Sequence, residues 1–235
     1  MRRLHFFFLI FLLAAFGWGC KKAANPSAQG DGGFQSDAYL PPSPPPETEN
    51  QMHLRELREA IERFQDARSF RAKLAIETKD GRMTGQIDVT KPERFHGSLQ
   101  VPSQNGFETS EVIGVEKMFY IRLPNGNWTY VKNQEKSQAL TTAFRSAVDG
   151  EDSLLGTSIP DSNTVTKNKD SALACDRYTT ILTDAEGERT ELTICVANGL
   201  PKRIEIKPAT GGATIDYFDY NKLFVIERPL GVRLD

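Results

Sequence analysis

Apolar residues recur along this chain with two periods. Leu54, Leu57, Ile61 and Phe64 return every three or four positions with Arg55, Glu56, Arg58, Glu59 and Glu62 between them, which predicts one amphipathic helix ending near Ala67. Thr48-Glu49-Asn50-Gln51 ahead of it reads as a capping box, the Thr48 hydroxyl and the Gln51 side chain each satisfying an early backbone donor. From Ser69 the period becomes two. Phe70, Ala72, Leu74 and Ile76 alternate with polar residues, as do Met83, Gly85, Ile87 and Val89 beyond a turn at Lys79-Asp80-Gly81-Arg82. Further strands are predicted over Phe95 to Val101 and Glu108 to Val115. Met118 to Leu123 and Trp128 to Val131 flank Pro124-Asn125-Gly126-Asn127, whose Asn-Gly supplies the positive φ of a tight hairpin.

The period is lost between Glu135 and Val148, where Leu140, Ala143, Phe144, Ala147 and Val148 predict a second, shorter helix. The following loop carries Leu154-Leu155, and two exposed leucines would be costly, so they are expected to fold over an apolar opening or into the core. Strand periodicity returns at Leu173 to Thr183, Arg189 to Val196, Lys202 to Lys207 and Ala213 to Asp219. The pattern is thus α+β: an antiparallel sheet of about ten strands after a first amphipathic helix, interrupted by a second short helical stretch.

The ends of the pattern decide where the chain works. Residues 1–19 carry Arg2 and Arg3, an apolar run from Leu4 to Phe16, and Gly17 and Gly19 around Trp18, which together read as a secretory signal. The run is too short to span a bilayer comfortably and stops at Cys20, followed by Lys21 and Lys22. It looks like a bacterial lipoprotein signal, in which the thiol of Cys20 receives a diacylglycerol and becomes the mature N-terminus, although Gly17 stands where that pattern prefers Leu. The alternatives are ordinary cleavage near Ala23-Ala24 or an uncleaved anchor. Lys21 lacks the aspartate that marks inner-membrane retention in some bacteria, which leans toward the outer membrane, facing the periplasm. Residues 20–47 are nearly devoid of apolar side chains and end in Pro41-Pro42-Ser43-Pro44-Pro45-Pro46, a disordered tether with a stiff polyproline spacer at its end. Residues 48–235 then form one domain.

Charge excludes more than it suggests. The net charge of −2 becomes −4 when Arg2 and Arg3 leave with the signal, so nothing points to nucleic acid. Folding the late strands about Asp184-Ala185-Glu186-Gly187-Glu188 sets position 175 opposite position 195. In an oxidising compartment this predicts a Cys175–Cys195 bridge, with two buried free thiols as the alternative. Two thiols with scattered His53 and His96 lack the paired spacing of a zinc site, and no cofactor is implied. His96 has no nucleophile motif beside it, and the chain has no Gly-rich phosphate loop, so a non-enzyme is expected.

Several short features then occur in a recognisable order: the lipobox-like Cys20, the tether, a helix running into Ser69-Phe70-Arg71-Ala72-Lys73-Leu74, and the Asn125-Gly126-Asn127-Trp128 turn. Cys175 and Cys195 follow in late strands, then Gly199-Leu200-Pro201-Lys202-Arg203-Ile204, Tyr217-Phe218-Asp219-Tyr220-Asn221 and Val225-Ile226. Together, from about Thr48 to Pro229, they resemble the lipoprotein-localisation-factor superfamily, which includes lipoprotein carriers and acceptors, mycobacterial lipid-carrying lipoproteins and an envelope-stress sensing domain. The resemblance implies a strongly curved, unclosed half-barrel whose concave face, lidded by helices, holds acyl chains. Leu74, Ile76, Ile87, Val89, Ile121 and Ile204, with Leu154 and Leu155, are the candidate wall of such a face; ordinary core is the competing reading for each. Two functions follow: an envelope lipoprotein, held to the membrane through Cys20, that binds a lipid or acylated lipoprotein and assists its transport or insertion, or a sensing and interaction module with a filled interior that acts on another envelope protein.

Overall fold

The computed structural model of the chain describes residues 46–78, 81–103, 106–116, 118–131, 159–183 and 187–232. The signal, Cys20, nearly all of the tether, the second helix predicted over Glu135 to Val148, and Leu154 and Leu155 lie outside the described residues.

The first helix, α1, spans Glu49–Asp66. Its capping box forms: the Thr48 hydroxyl accepts from the Gln51 N–H at 3.3 Å, and Gln51 Oε1 accepts from the Thr48 N–H at 2.8 Å. The buried stripe is His53, Leu54, Leu57, Ala60, Ile61 and Phe64, the helical spacing seen in the sequence. Ala67 turns extended at the C-terminus, and the chain enters the sheet directly.

Among the described residues eleven strands follow: β1 (Ser69–Thr78), β2 (Gly81–Thr90), β3 (Arg94–Ser103), β4 (Gly106–Val115), β5 (Met118–Arg122), β6 (Trp128–Tyr130), β7 (Thr166–Asp170), β8 (Cys175–Thr183), β9 (Arg189–Ala197), β10 (Leu200–Lys207) and β11 (Gly212–Phe218). Their order is β6-β5-β4-β3-β2-β1-β11-β10-β9-β8-β7, and every pairing is antiparallel. Two meanders, one of six strands and one of five, therefore meet at a single seam between β1 and β11. β6 and β7 stand at opposite ends of the order, so the sheet is an unclosed, curved half-barrel with α1 against it. The strand that sequence periodicity does not announce is β7. Its sequence, Thr-Lys-Asn-Lys-Asp, has no apolar side chain to alternate, and it is held at the edge by pairing with β8.

One register differs from expectation. Thr183 pairs with Arg189, so the connection between β8 and β9 centres on position 186 and Cys195 faces Arg177 rather than Cys175. The two cysteines are two positions out of register, hence on the same face of the sheet. They meet diagonally with a Cα–Cα distance of 5.6 Å, and the disulfide forms there.

The concave face is built from the apolar sets of the strands. Phe64 of α1 and Phe70 of β1 are both fully buried, with ring centroids 5.0 Å apart, and Tyr217 of β11 lies 5.0 Å from Phe64. The seam is thus sealed by aromatic rings from the helix and from both meanders. On β4, Gly114 stands opposite Phe95, and a Cβ on it would lie 2.2 Å from the Phe95 ring. The glycine leaves room for that ring to lie across the sheet toward Phe119, 5.4 Å away.

The convex face carries cross-strand ion pairs that fix register. Arg71 makes a bidentate pair with Asp88 directly opposite it (2.5 and 2.7 Å) and reaches Asp219 at 3.4 Å. Arg203 pairs with Asp216, again directly opposite (2.6 and 3.0 Å), and Arg177 with Glu205 at 3.0 Å. The C-terminal segment 219–232 straps the outside of the N-terminal meander. The Asn221 N–H donates to Ser69 O at 2.8 Å, Phe224 lies under the Arg71 guanidinium at 5.0 Å, and Ile226 packs with Ile113, Val115 and Tyr120.

Gly114→Ala is expected to cost about 2 kcal/mol by overpacking against Phe95. Combined with Phe95→Leu it should cost less than the sum of the two single changes, as read from urea-denaturation midpoints. Additive costs would show that the ring does not depend on the glycine.

Candidate functional site

The concave face is layered along the strands. On β1, Phe70 and Ala72 are buried whereas Leu74 and Ile76 are half-buried; on β11, Tyr217 is buried whereas Ile215 and Ala213 are half-buried. The same change runs from Ile204 to Ile206 on β10 and from Phe119 to Ile121 on β5. Among the described residues one end of the concave face is therefore closed and the other more open, although Met83 and Leu192, beside Ile76 and Ile206, are buried there. The register sets Leu74 beside Ile215, and Ile215 beside Ile204, in one row across the seam. Val112 and Ile121 pair in the other wing. From Phe70 to Ile76 on β1, from Met83 to Val89 on β2 and from Ala213 to Tyr217 on β11, no position facing this side is charged.

The candidates from the sequence divide between the two layers. Ile87, Val89 and Ile204 lie in the closed layer, packed in the core cluster with Leu57, Phe64 and Phe70. Leu74 and Ile121 pack against the edge of that cluster and are half-buried, as is Ile76. Ile215, Ile206 and Val112 are likewise half-buried against that cluster and were not singled out from the sequence. The alternation of Ala213, Ile215 and Tyr217 was the signal that could have found the first of them.

α1 is fastened over the C-terminal wing by polar contacts. Asn50 Oδ1 accepts from the Val165 N–H at 2.8 Å, His53 Nδ1 lies 3.2 Å from Val165 O, and Arg58 donates to Ile159 O at 2.5 Å. Glu56 accepts from Lys167 Nζ at 2.7 Å and from the Tyr178 hydroxyl at 2.8 Å. The hydrogen bond from Lys167, followed by that from Tyr178, holds the Glu56 carboxyl below the usual carboxylate range. The bond to Glu56 in turn raises Lys167, and burial raises the Tyr178 phenol. A cleft of about 220 Å³ beside this network is lined by Glu56, Arg63, Lys167, Asp176 and Tyr178, whose charges are already paired among themselves or with neighbouring side chains. The network is a latch for the helix. His96 sits on the opposite, convex face, with Nε2 3.5 Å from Glu111. Among the described residues no group of three or more His, Cys, Asp or Glu could hold a metal ion, and no helix is long and apolar enough to cross a membrane.

No family model and no curated protein matches this sequence. Solved structures do match. LprF from Mycobacterium bovis superposes with a TM-score of 0.54 at 12% identity, over 77% of this chain and 98% of LprF. The lipoprotein LppX from Mycobacterium tuberculosis matches with a TM-score of 0.49 at 10% identity, over 76% of this chain and 100% of its own. A LolA-superfamily protein from Nitrosomonas europaea gives a TM-score of 0.30 at 12% identity, over 75% of this chain and 94% of its own. The likeness is one of fold. LprF and this chain share the half-barrel architecture.

The depressed Glu56 carboxyl has a pH consequence. A group whose folded pKa is lowered contributes stability above its unfolded value, about 4.3 for glutamate, and loses it as pH falls through the folded value. The denaturation midpoint should therefore drop below about pH 4.3, and Glu56→Gln should make that drop shallower. An unchanged acid limb in Glu56→Gln would show that the latch contributes nothing to stability.

Proposed function

We propose that this chain is an envelope lipoprotein, anchored extracytoplasmically through lipid on Cys20, whose domain of residues 48–235 binds an acyl chain of a lipid or acylated lipoprotein in its concave face and assists its transport or insertion. The observation that carries this is the open layer, where Leu74, Ile76, Ile121, Ile206 and Ile215 present an uncharged aliphatic wall only half removed from solvent. Apolar side chains in that state gain free energy from any chain that completes their burial, at about 25 cal/mol per Å². The fold shared with LprF is compatible with such a use. The anchor reading rests on residues 1–20, and the lean to the outer membrane rests on Lys21.

A second reading has its own observation. The closed layer is packed solid by Phe64, Phe70 and Tyr217 under α1, as expected of a non-catalytic module that senses or binds another envelope protein.

The two readings separate in one experiment. Protein released from membranes and purified natively should yield a stoichiometric lipid in its organic extract by mass spectrometry. Leu74→Glu and Ile215→Glu should lose that lipid while keeping the near-ultraviolet circular dichroism and the melting temperature of the parent. Ile87 is the wrong place for such a charge, because it is 1% exposed and would fail by unfolding. An extract with no lipid from the parent protein would sink the carrier reading and favour the interaction module.

A further inference from the structure

The three most exposed large apolar side chains among the described residues, Leu230 at 94%, Leu223 at 89% and Val225 at 78%, all belong to the C-terminal strap. From Leu223 to Glu227 burial alternates along it. Phe224 and Ile226 turn in to the convex face and pack with Ile113, Val115 and Tyr120, whereas Leu223, Val225 and Glu227 turn out to solvent. The inner side is pinned along its length: Ser69 Oγ donates to Lys222 O at 2.5 Å, Arg94 to Ile226 O at 3.2 Å and Arg228 to Glu116 at 2.9 Å. The outer aliphatic row is therefore held facing water, as on a surface that another molecule covers.

The order of charges on the strap points to the occupant. Lys222 stands at one end of the row, its side chain 65% exposed and its ammonium, 2.6 Å from Asp219, still able to donate to a second carboxylate. Glu227 stands at the other end, exposed and without an ion-pair partner among the described residues. A strip that is cationic, then aliphatic, then anionic is complementary to itself turned end for end. A two-fold axis supplies that turn: Lys222 of each copy meets Glu227 of the other, with Leu223 and Val225 of both packed between them. The strap crosses the strands, from Ser69 on β1 to Glu116 after β4, so the axis can run parallel to them. Both copies then direct the same end toward their tethers, which enter beside the β8–β9 turn, where Asn50 donates to Asn163 O and Asn163 to Ile181 O. Two anchors in one membrane require that arrangement.

We propose that the strap is a self-association surface, at which two copies of this chain anchored in one membrane pair back to back across a two-fold axis parallel to their strands. Three aliphatic side chains from each copy bury less than the area of about 800 Å² per partner typical of a stable complex in solution. Pairing is therefore a property of anchored copies, whose shared surface raises their effective concentration. The concave faces lie on the outside of the pair and stay free. The proposal rests on the anchored reading above and not on lipid carriage.

The test uses the full chain carrying Val225→Cys, in native membranes and again after purification into phosphatidylcholine vesicles, with Cys175 and Cys195 already bridged. Oxidation by copper phenanthroline should give a disulfide dimer through position 225, which lies next to the axis. Thr183→Cys, exposed in the other wing, should stay monomeric. Leu223→Ser should lower the dimer fraction about tenfold, since symmetry removes the side chain twice. Glu227→Lys should lower it about fivefold, and adding Lys222→Glu should restore it, which a merely structural role for either charge would not allow. A yield at position 225 no greater than at 183, or a charge exchange without rescue, overturns the proposal. So does a crosslink in native membranes whose second peptide belongs to a different protein. Mass spectrometry of the Cys20 peptide keeps the two readings apart. Lipid on Cys20 without the dimer sinks the pairing alone, and the dimer without lipid on Cys20 sinks the anchored reading alone.

Discussion

The pairing of β1 with β11 is the constraint on which the rest of this molecule depends. Each meander can form from local turns, but the two become one curved sheet only where Arg71 to Glu77 lie against Gly212 to Phe218. That seam joins residues about as far apart as the domain allows, so its loop-closure entropy must be met by packing. Phe64, Phe70, Tyr217 and Tyr220 supply it, with rings contributed by the helix, by β1, by β11 and by the chain just after it leaves β11. The C-terminal strap then crosses outside the first strand, so the seam is covered on both faces.

From the seam follows the division of the concave face. α1 begins near the β8–β9 turn and ends at the start of β1, so its largest buried side chain, Phe64, falls at the closed end. At the other end Asn50 and His53 make polar contacts with residues 163–165, and Leu54 joins Ile159 and Val165 in the buried cluster. The aliphatic rows are thereby packed at one end and half-covered at the other by a single helix of ordinary amphipathic character. The charge latch from Glu56 to Lys167 and Tyr178 holds it in that position.

Much of this was legible in the residues because periodicity and local chemistry agreed. The capping box at Thr48, the change of period at Ser69 and the apolar alternation of β1, β2, β10 and β11 each specified an element that the structure contains. β7 was not legible, because an edge strand of Thr, Lys, Asn and Asp has no buried face to impose alternation. The cysteine register was misplaced by two positions although the flanking pair was legible: a connection closed by Thr183 and Arg189 centres on position 186 and sets Cys195 opposite Arg177. The split of Leu74 and Ile121 from Ile87, Val89 and Ile204 was hidden as well. All five occupy apolar positions of strands, and the register does not separate them either, since Ile204 stands level with Leu74 and Ile121 with Ile87.

The disulfide has a consequence for the order of assembly. Its sulfurs are only 20 residues apart in sequence and lie within neighbouring strands of one hairpin, so oxidation can fix β8 to β9 before either strand meets the helix or the N-terminal meander. It does nothing to bridge the seam. The covalent bond therefore belongs to the part of the sheet that forms fast and locally, and leaves the slow, long-range closure of β1 on β11 reversible. During maturation such a chain would hold an oxidised C-terminal template while its N-terminal meander was still searching for its place.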